Sequence, residues 1–395
     1  MSQVKEVKNK ARVVVAMSGG VDSSVAAALL KQAGFDVIGI MMKFWKEGVS
    51  TDNRCCSVES EKLARLVAKE IGIPFYVVNV EKEFKKKVVD YFLQEYKKGN
   101  TPNPCVVCNK EIKFGFLIKK ALSLGADFVA TGHYVRTSLS RSATNFFPSA
   151  GSPLCPAGQV DQGTKKSSLP RSAKLYVGSD AEKDQSYFLW QLDQKQISRV
   201  LFPVGGYKKA EVRKLAKKFN LPTAETPESQ EVCFIQNTTS EFLRKHLKSK
   251  PGKIVNIDGK VVGEHQGLWF YTIGQRKGLE IPQGPYYAVS KDFKNNILVV
   301  SRDEKDLEKN ELIAGNVNWI VPQVLPIKAE VRIRYKSKLS KAEIFDNGNG
   351  KVKVVFVKPS LHSGIPPEAG QRAITSGQSA VFYKGKELLG GGVIE

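Results

Sequence analysis

The tightest constraint on this chain is a short apolar run that breaks into two glycines and resumes as a helix. Val13–Ala16 reads as a β-strand, and Met17-Ser18-Gly19-Gly20-Val21-Asp22-Ser23-Ser24 follows it directly. Gly19 and Gly20 permit a tight turn that brings backbone amides close to an anion. The helix start beyond them adds unpaired N–H groups and a partial positive charge. Ser18, Ser23 and Ser24 supply hydroxyl donors. The loop lacks the lysine of a Walker A motif, so it does not predict γ-phosphoryl transfer. Asp22 suits the first turn of a helix or a magnesium contact.

The same alternation continues. We expect helices at Ser24–Gln32, Val58–Ile71, Phe84–Tyr96 and Lys110–Ser123. Strands are expected at Val37–Met41, Phe75–Val80 and Asp127–Thr131, and the loop GNTPNPCVVC precedes the last of those helices. Short β-branched runs separated by helices define an α/β fold with a parallel, Rossmann-like sheet, whose ligands bind at the carboxyl ends of the strands. Residues 138–172 are rich in Ser, Pro and Gly, contain the single acid Asp161, and show no periodicity, so a disordered insertion is expected there. Order resumes at Leu175–Val177 and in a helix around Ser186–Leu192. Two amphipathic helices, Lys209–Phe219 and Ser240–Leu247, flank the loop AETPESQEVCFIQ. Beyond residue 251 the pattern is short strands and turns, with hairpin signals at Asp258-Gly259 and Asn349-Gly350. The expected domains are 1–205 with the parallel sheet, 206–280 as a small central α+β domain, and 281–395 as an all-β barrel.

Charge points to the partner. The 395 residues carry 61 Lys and Arg against 39 Asp and Glu, a net +22, which a polyanion such as nucleic acid explains best. No apolar stretch approaches the ~18 residues of a membrane-spanning helix, so no membrane partner is expected. The first residues are charged and lead through a short apolar run into the glycine turn, without a cleavage signal. A cytoplasmic address is therefore expected.

Six cysteines in a chain of this length do not form a disulfide scaffold. Cys105-Val-Val-Cys108 stands just before a helix, where amides favour thiolate, and Lys110 adds positive charge. Cys233 lies in Ser229-Gln230-Glu231-Val232-Cys233-Phe234. One CxxC without a second argues against structural zinc. Cys55 and Cys56 are adjacent, and Cys155 falls in the insertion. Two readings stay open. Cys105, Cys108 and Cys233 hold an iron–sulfur cluster, or one thiol carries a persulfide that a second resolves.

A strand followed by SGGxDS resembles the pyrophosphate loop of the ATP pyrophosphatases, which split ATP between the α and β phosphates and adenylate an oxygen. A closer resemblance covers essentially the whole chain outside 138–172. AMSGGVDSSVAAALL, TPNPCVVCNKEIKFG, ATGHY, KDQSYFL, SQEVCFI, GLWFYTIGQRKGL and SGQSAVFY resemble the tRNA-specific 2-thiouridylases.

That resemblance implies replacement of oxygen by sulfur at C2 of the wobble uridine, U34, of tRNA, driven by ATP with Mg2+. Ala16, Met17, Ser18, Gly19, Gly20, Val21, Asp22, Ser23, Met42 and Gly132 match its nucleotide contacts. Cys108 matches its nucleophile, and Cys233 the acceptor of persulfide sulfur from an upstream carrier protein. A Cys108–Cys233 disulfide would then be reopened by a thiol reductant. Asn103, Pro104 and Cys105 match the segment that meets the target base. His133, Lys183, Asp184, Gln185, Arg334, Tyr335 and Gln378 match contacts to tRNA, the last three to its anticodon arm. An Arg–Tyr pair offers a phosphate contact and a stacking surface. Many relatives carry an acid where this chain has Cys105. Two other readings compete: an amidating ligase with the same loop acting on a small acid, and a non-catalytic RNA-binding protein.

Overall fold

The structure is a computed structural model and describes residues 10–47, 57–138, 172–227, 232–282, 284–357 and 371–395. Cys55, Cys56, Cys155 and all of the expected insertion except its two end residues lie outside them. The chain divides into two compact units, Met1–Lys85 with Cys108–Phe234, and Lys86–Val107 with Ile235–Glu395.

The first unit is built on β1 (Arg12–Ala16), α1 (Val21–Gln32), β2 (Asp36–Lys43), α2 (Val58–Glu70), β3 (Phe75–Asn79) and β4 (Phe128–Ala130). A hairpin of β5 (Val135–Thr137) and β6 (Leu175–Val177) and the short β7 (Val200–Leu201) follow. The sheet order is β3-β2-β1-β4-β7, and every pairing is parallel, as expected. Val13, Val14 and Val15 are fully buried because central parallel strands are covered on both faces. Val25 and Leu29 of α1 share a core with Val212 and Ala216 of the helix Lys209–Lys218. The packing of those two helices brings the start of the second to the start of the first.

Two local expectations need correction. Ser186–Leu192 is not a helix; only the 3₁₀ turn Ser186–Phe188 forms. Tyr187, Leu189, Trp190 and Leu192 are all buried, so the segment has no polar face to give a surface helix. The Asp184 carboxylate also captures the Ser186 amide and hydroxyl, competing with helical bonding. The second correction concerns the cysteine loop. Helix begins at Pro104 rather than Lys110, running as Pro104–Cys108, a π-helical stretch Asn109–Phe116, and Leu117–Ser123. Proline at a first helical position costs no hydrogen bond. A Cβ on Gly115 would stand 2.7 Å from the Lys110 carbonyl oxygen, so glycine permits the wider turn.

The second unit carries a four-stranded sheet of β8 (Gly252–Asn256), β9 (Val261–His265), β10 (Tyr287–Asp292) and β11 (Ile297–Ser301), in the order β10-β11-β8-β9. β11 pairs with β8 in parallel, so a boundary at 280/281 cuts through one sheet. The barrel uses Glu311–Trp319, Ile327–Arg332, Ser340–Asp346, Val352–Phe356, Ser379–Lys384 and Glu387–Ile394. Its first strand pairs with both Val352–Phe356 and Glu387–Ile394, which closes six antiparallel strands around Val331, Ile344, Val354 and Phe382. Asn349 and Gly350, with φ of +51° and +69°, make the expected hairpin turn. Among the described residues no helix is long and apolar enough to cross a membrane.

Candidate active site

The loop after β1 is held open by its own backbone. Gly19 has φ +77°, and a Cβ there would lie 2.3 Å from the Ser60 carbonyl oxygen in the first turn of α2. Only glycine satisfies both demands. Gly20 caps α1 without a side chain, so its first amides carry no side-chain cap. Ser23 Oγ accepts from the Ser18 amide at 3.2 Å and donates to the Gly20 carbonyl at 3.0 Å. Ser24 Oγ donates to the same carbonyl at 2.9 Å. Gly132 follows β4, and a Cβ there would lie 2.6 Å from the Ser23 amide nitrogen. Met42 lies near the carboxyl end of β2. The residues matched to nucleotide thus gather at the carboxyl ends of three adjacent strands. Met17 and Val21 are buried, so they offer this face backbone alone.

Asp22 has partners the sequence does not advertise. Lys209 Nζ contacts its two carboxylate oxygens at 2.7 and 2.8 Å, and Tyr134 Oη donates to Oδ1 at 2.7 Å. The Lys209 amide donates to Asp180 Oδ2 at 2.9 Å, while Asp180 Oδ1 accepts from the amides of Glu182 and Lys183. Gln185 exchanges hydrogen bonds with the Tyr134 backbone, at 3.0 Å through its side chain and 3.1 Å through its amide. Two polar routes therefore run from Asp22 to the 180–185 turn. Asp184 is buried, and its Oδ1 accepts from the Gly178 amide, so it shapes this turn from inside. Lys209 was missed because only its place at the head of an amphipathic helix was visible.

Cys105 and Cys108 lie in the first helical turns, Cys105 half-buried and Cys108 buried. Asn109 donates to the Phe188 carbonyl at 3.2 Å, and Gln196 to the Lys110 carbonyl at 2.9 Å, which fixes the π-helical stretch. Cys233 is half-buried in a turn, next to Phe234, whose ring meets Phe84 edge-on at 5.9 Å. Cys108 and Cys233 belong to the same compact unit. Among the described residues no three His, Cys, Asp or Glu side chains are grouped to hold a metal ion. Asp22 is committed to Lys209 and Tyr134, and the thiols at 105, 108 and 233 are not grouped as a ligand set for a metal ion or an iron–sulfur cluster.

His133 sits against Phe114 and Phe202, with ring centroids at 5.8 and 6.3 Å, and its Nδ1 is 2.7 Å from Thr131 Oγ1. Burial, and secondarily the charge of Lys113, pushes its pKa well below 6.5.

In the second unit, residues 99–101 form a strap leading to Asn103, Pro104 and Cys105. Lys291 Nζ donates to the Gly99 carbonyl at 3.0 Å, and the Thr101 amide to the Ser376 carbonyl at 2.8 Å. Gln378 Nε2 donates to the Thr101 carbonyl at 2.7 Å. Arg334 is exposed, with its guanidinium donating to the Ala373 carbonyl; Tyr335 is half-buried beside it.

Residues 11–237 match the family model described as a tRNA methyl transferase HUP domain. Residues 240–302 match a tRNA methyl transferase PRC-barrel domain, and 309–394 an aminomethyltransferase beta-barrel domain. The class is thus a HUP-domain protein with two β modules behind it. The chain is 44% identical over 400 residues to tRNA-specific 2-thiouridylase MnmA 2 of Thermoanaerobacter sp. (strain X514), covering 99% of each. It is 42% identical over 400 residues to tRNA-specific 2-thiouridylase MnmA of Carboxydothermus hydrogenoformans, again 99% of each. For the protein of that name from Clostridioides difficile the identity is 42% over 392 residues, 97% of this chain and 98% of the other. The chain belongs to the tRNA-specific 2-thiouridylase family.

Proposed function

We propose that this chain is an ATP-dependent tRNA sulfurtransferase that converts C2=O to C2=S on the wobble uridine U34. The observation that supports it most is the arrangement of Ser18–Ser23, Met42 and Gly132 at one sheet edge, within the unit that also contains Cys108 and Cys233. A urea-like carbonyl oxygen is a poor leaving group. Adenylation from Mg2+–ATP turns it into part of AMP, and the uncapped amides of α1 suit the pyrophosphate released. Cys233 carries a persulfide delivered by an upstream sulfur carrier. The Cys108 thiolate attacks its inner sulfur, forming a Cys108–Cys233 disulfide and releasing hydrosulfide. Hydrosulfide adds to C2, AMP departs with the former carbonyl oxygen, and a proton is lost to leave C2=S. A thiol reductant then supplies two electrons and two protons to restore both thiols.

Asn103, Pro104 and Cys105 meet the target base in this reading. His133, Lys183, Arg334 and Tyr335 contact tRNA, while Asp184, Gln185 and Gln378 hold the segments that do so. The test is nucleoside analysis of tRNA treated with the wild type, Cys108→Ser and Cys233→Ser, alongside pyrophosphate release with and without tRNA. Both variants should bind tRNA and form no 2-thiouridine. Thiolation by Cys108→Ser would overturn the assignment. Pyrophosphate release on a small acid without tRNA would favour the amidating ligase, and a biological role that survives loss of all turnover would favour a non-catalytic RNA-binding protein.

A further inference from the structure

The turn Thr272–Gly278, part of the segment GLWFYTIGQRKGL, has no role in the mechanism above, yet its geometry is firmly set. Gly274 and Gly278 have φ of +84° and +74°. The Gln275 side chain staples the turn, accepting from the Thr272 amide and donating to the Lys277 carbonyl, both at 3.0 Å. The backbone on either side is tied to the central sheet. The Gly274 amide donates to the Ala288 carbonyl at 2.8 Å, and the Ala288 amide to the Gln275 carbonyl at 3.0 Å. Beneath lies a small apolar nucleus of Tyr287, Leu307 and Ala373. What the staple presents to solvent is Arg276 and Lys277, both exposed. A chain that invests a glutamine and two left-handed glycines in displaying two cations has built a charged surface, not merely a soluble turn.

The neighbours extend that surface. A Cβ on Gly274 would lie 2.7 Å from the Ala373 Cβ and 3.8 Å from the Arg334 guanidinium. Arg334 continues into Lys336, also exposed. One acid beside the same nucleus is already engaged. Glu304 pairs with Arg372 at 2.6 Å and accepts from the Tyr287 hydroxyl.

We propose that Arg276 and Lys277, displayed by the Gln275-stapled turn, form with Arg334 and Lys336 one cationic patch that binds the tRNA phosphate backbone. Guanidinium forks and ammonium groups in a row suit successive phosphates, and such contacts position RNA without reading its sequence. This rests on tRNA being the substrate, and it adds a second anchoring segment beside the Arg334-Tyr335 pair.

The experiment is bulk tRNA binding as a function of KCl for the full chain, comparing the wild type with R276Q/K277Q, R276K and R372Q, together with the KM for ATP. Removing two phosphate contacts should make the slope of log K against log salt shallower by roughly 1 to 2 and lower affinity by about tenfold. R276K should retain most of the affinity, R372Q should stay within about twofold because that cation is already paired, and the KM for ATP should not move. Thermal midpoints within error of the wild type certify that the variants are folded. Q275A, which removes the staple but no charge, should lose part of the affinity without changing the limiting slope. The patch is refuted if R276Q/K277Q matches the wild type in slope and affinity, or if R372Q loses as much. A wild type with no salt-dependent tRNA binding would instead refute the functional reading beneath it.

Discussion

The side-chain amide of Gln378 donates to the carbonyl of Thr101 at 2.7 Å, two residues before Asn103. The resemblance implies a tRNA contact for Gln378, and in this fold its amide also fastens the strap that leads to the cysteine-bearing helix. Gly377 beside it has φ +87°, and a Cβ there would come within 2.8 Å of the Asn100 Cβ.

Gln378→Leu removes the donor and leaves the Thr101 carbonyl without it. The expected cost is about 1 kcal/mol, roughly a fivefold loss. We expect it in the rate of thiolation, with faster amide exchange across 99–108 and little change in tRNA affinity. A loss confined to tRNA affinity, with exchange unchanged, would contradict the strap's role.

Lys209→Met leaves Asp22 with Tyr134 alone. The pair is only partly exposed, 11% for the lysine side chain and 31% for the aspartate. Breaking one side of such a pair costs about 1–3 kcal/mol, and Tyr134→Phe should cost about 1. A double-mutant cycle between Lys209→Met and Asp22→Asn, read by denaturant unfolding, should give a coupling near the single-mutant cost. Additive effects would mean that the contact contributes nothing.

Cys105→Ala should keep most of the thiolation rate. Cys105 is half-buried at the helix start, while Cys108 one turn later is the buried thiol assigned as nucleophile. Measuring 2-thiouridine per turnover decides this; inactivity equal to that of Cys108→Ser would make Cys105 an essential thiol.

Stability should rise with pH in two separate windows. Burial lowers the Lys291 ammonium to about 8, from an ordinary 10.5. Between those values the unfolded chain holds a proton that the folded chain has released, so stability rises with pH across that window. Lys291→Met should flatten the rise. His133 acts in the same direction in a lower window. Its folded pKa lies well below 6.5, so the unfolded chain is protonated first as pH falls, and stability declines below about 6.5. His133→Asn should lessen that decline. Unfolding midpoints between pH 5 and 10 test both.

Much of this architecture is visible in local pattern. The β-branched run Val13–Ala16, the glycines at 19 and 20, and the Asn349-Gly350 turn act through neighbouring residues, so their conformations follow from sequence. PNPC reads as a loop in sequence, yet a first-turn proline is compatible with helix, so the cysteine helix starts earlier than local pattern predicts. Over Ser186–Leu192 apolar density imitates helical periodicity, and the Asp184 carboxylate claims the backbone instead.

What the sequence determined alone is the chemistry on offer: an anion-binding turn, thiols at 105, 108 and 233, and a large positive charge. Tertiary structure decided which groups meet. Lys209 reaches Asp22 across 187 residues because two apolar helix faces pack together. Gln378 reaches Thr101 across 277 because the segment Lys86–Val107 packs into the C-terminal unit. Local propensity extends over a few residues, whereas burial of apolar surface is indifferent to separation along the chain, so partners this distant become legible only once the core has formed.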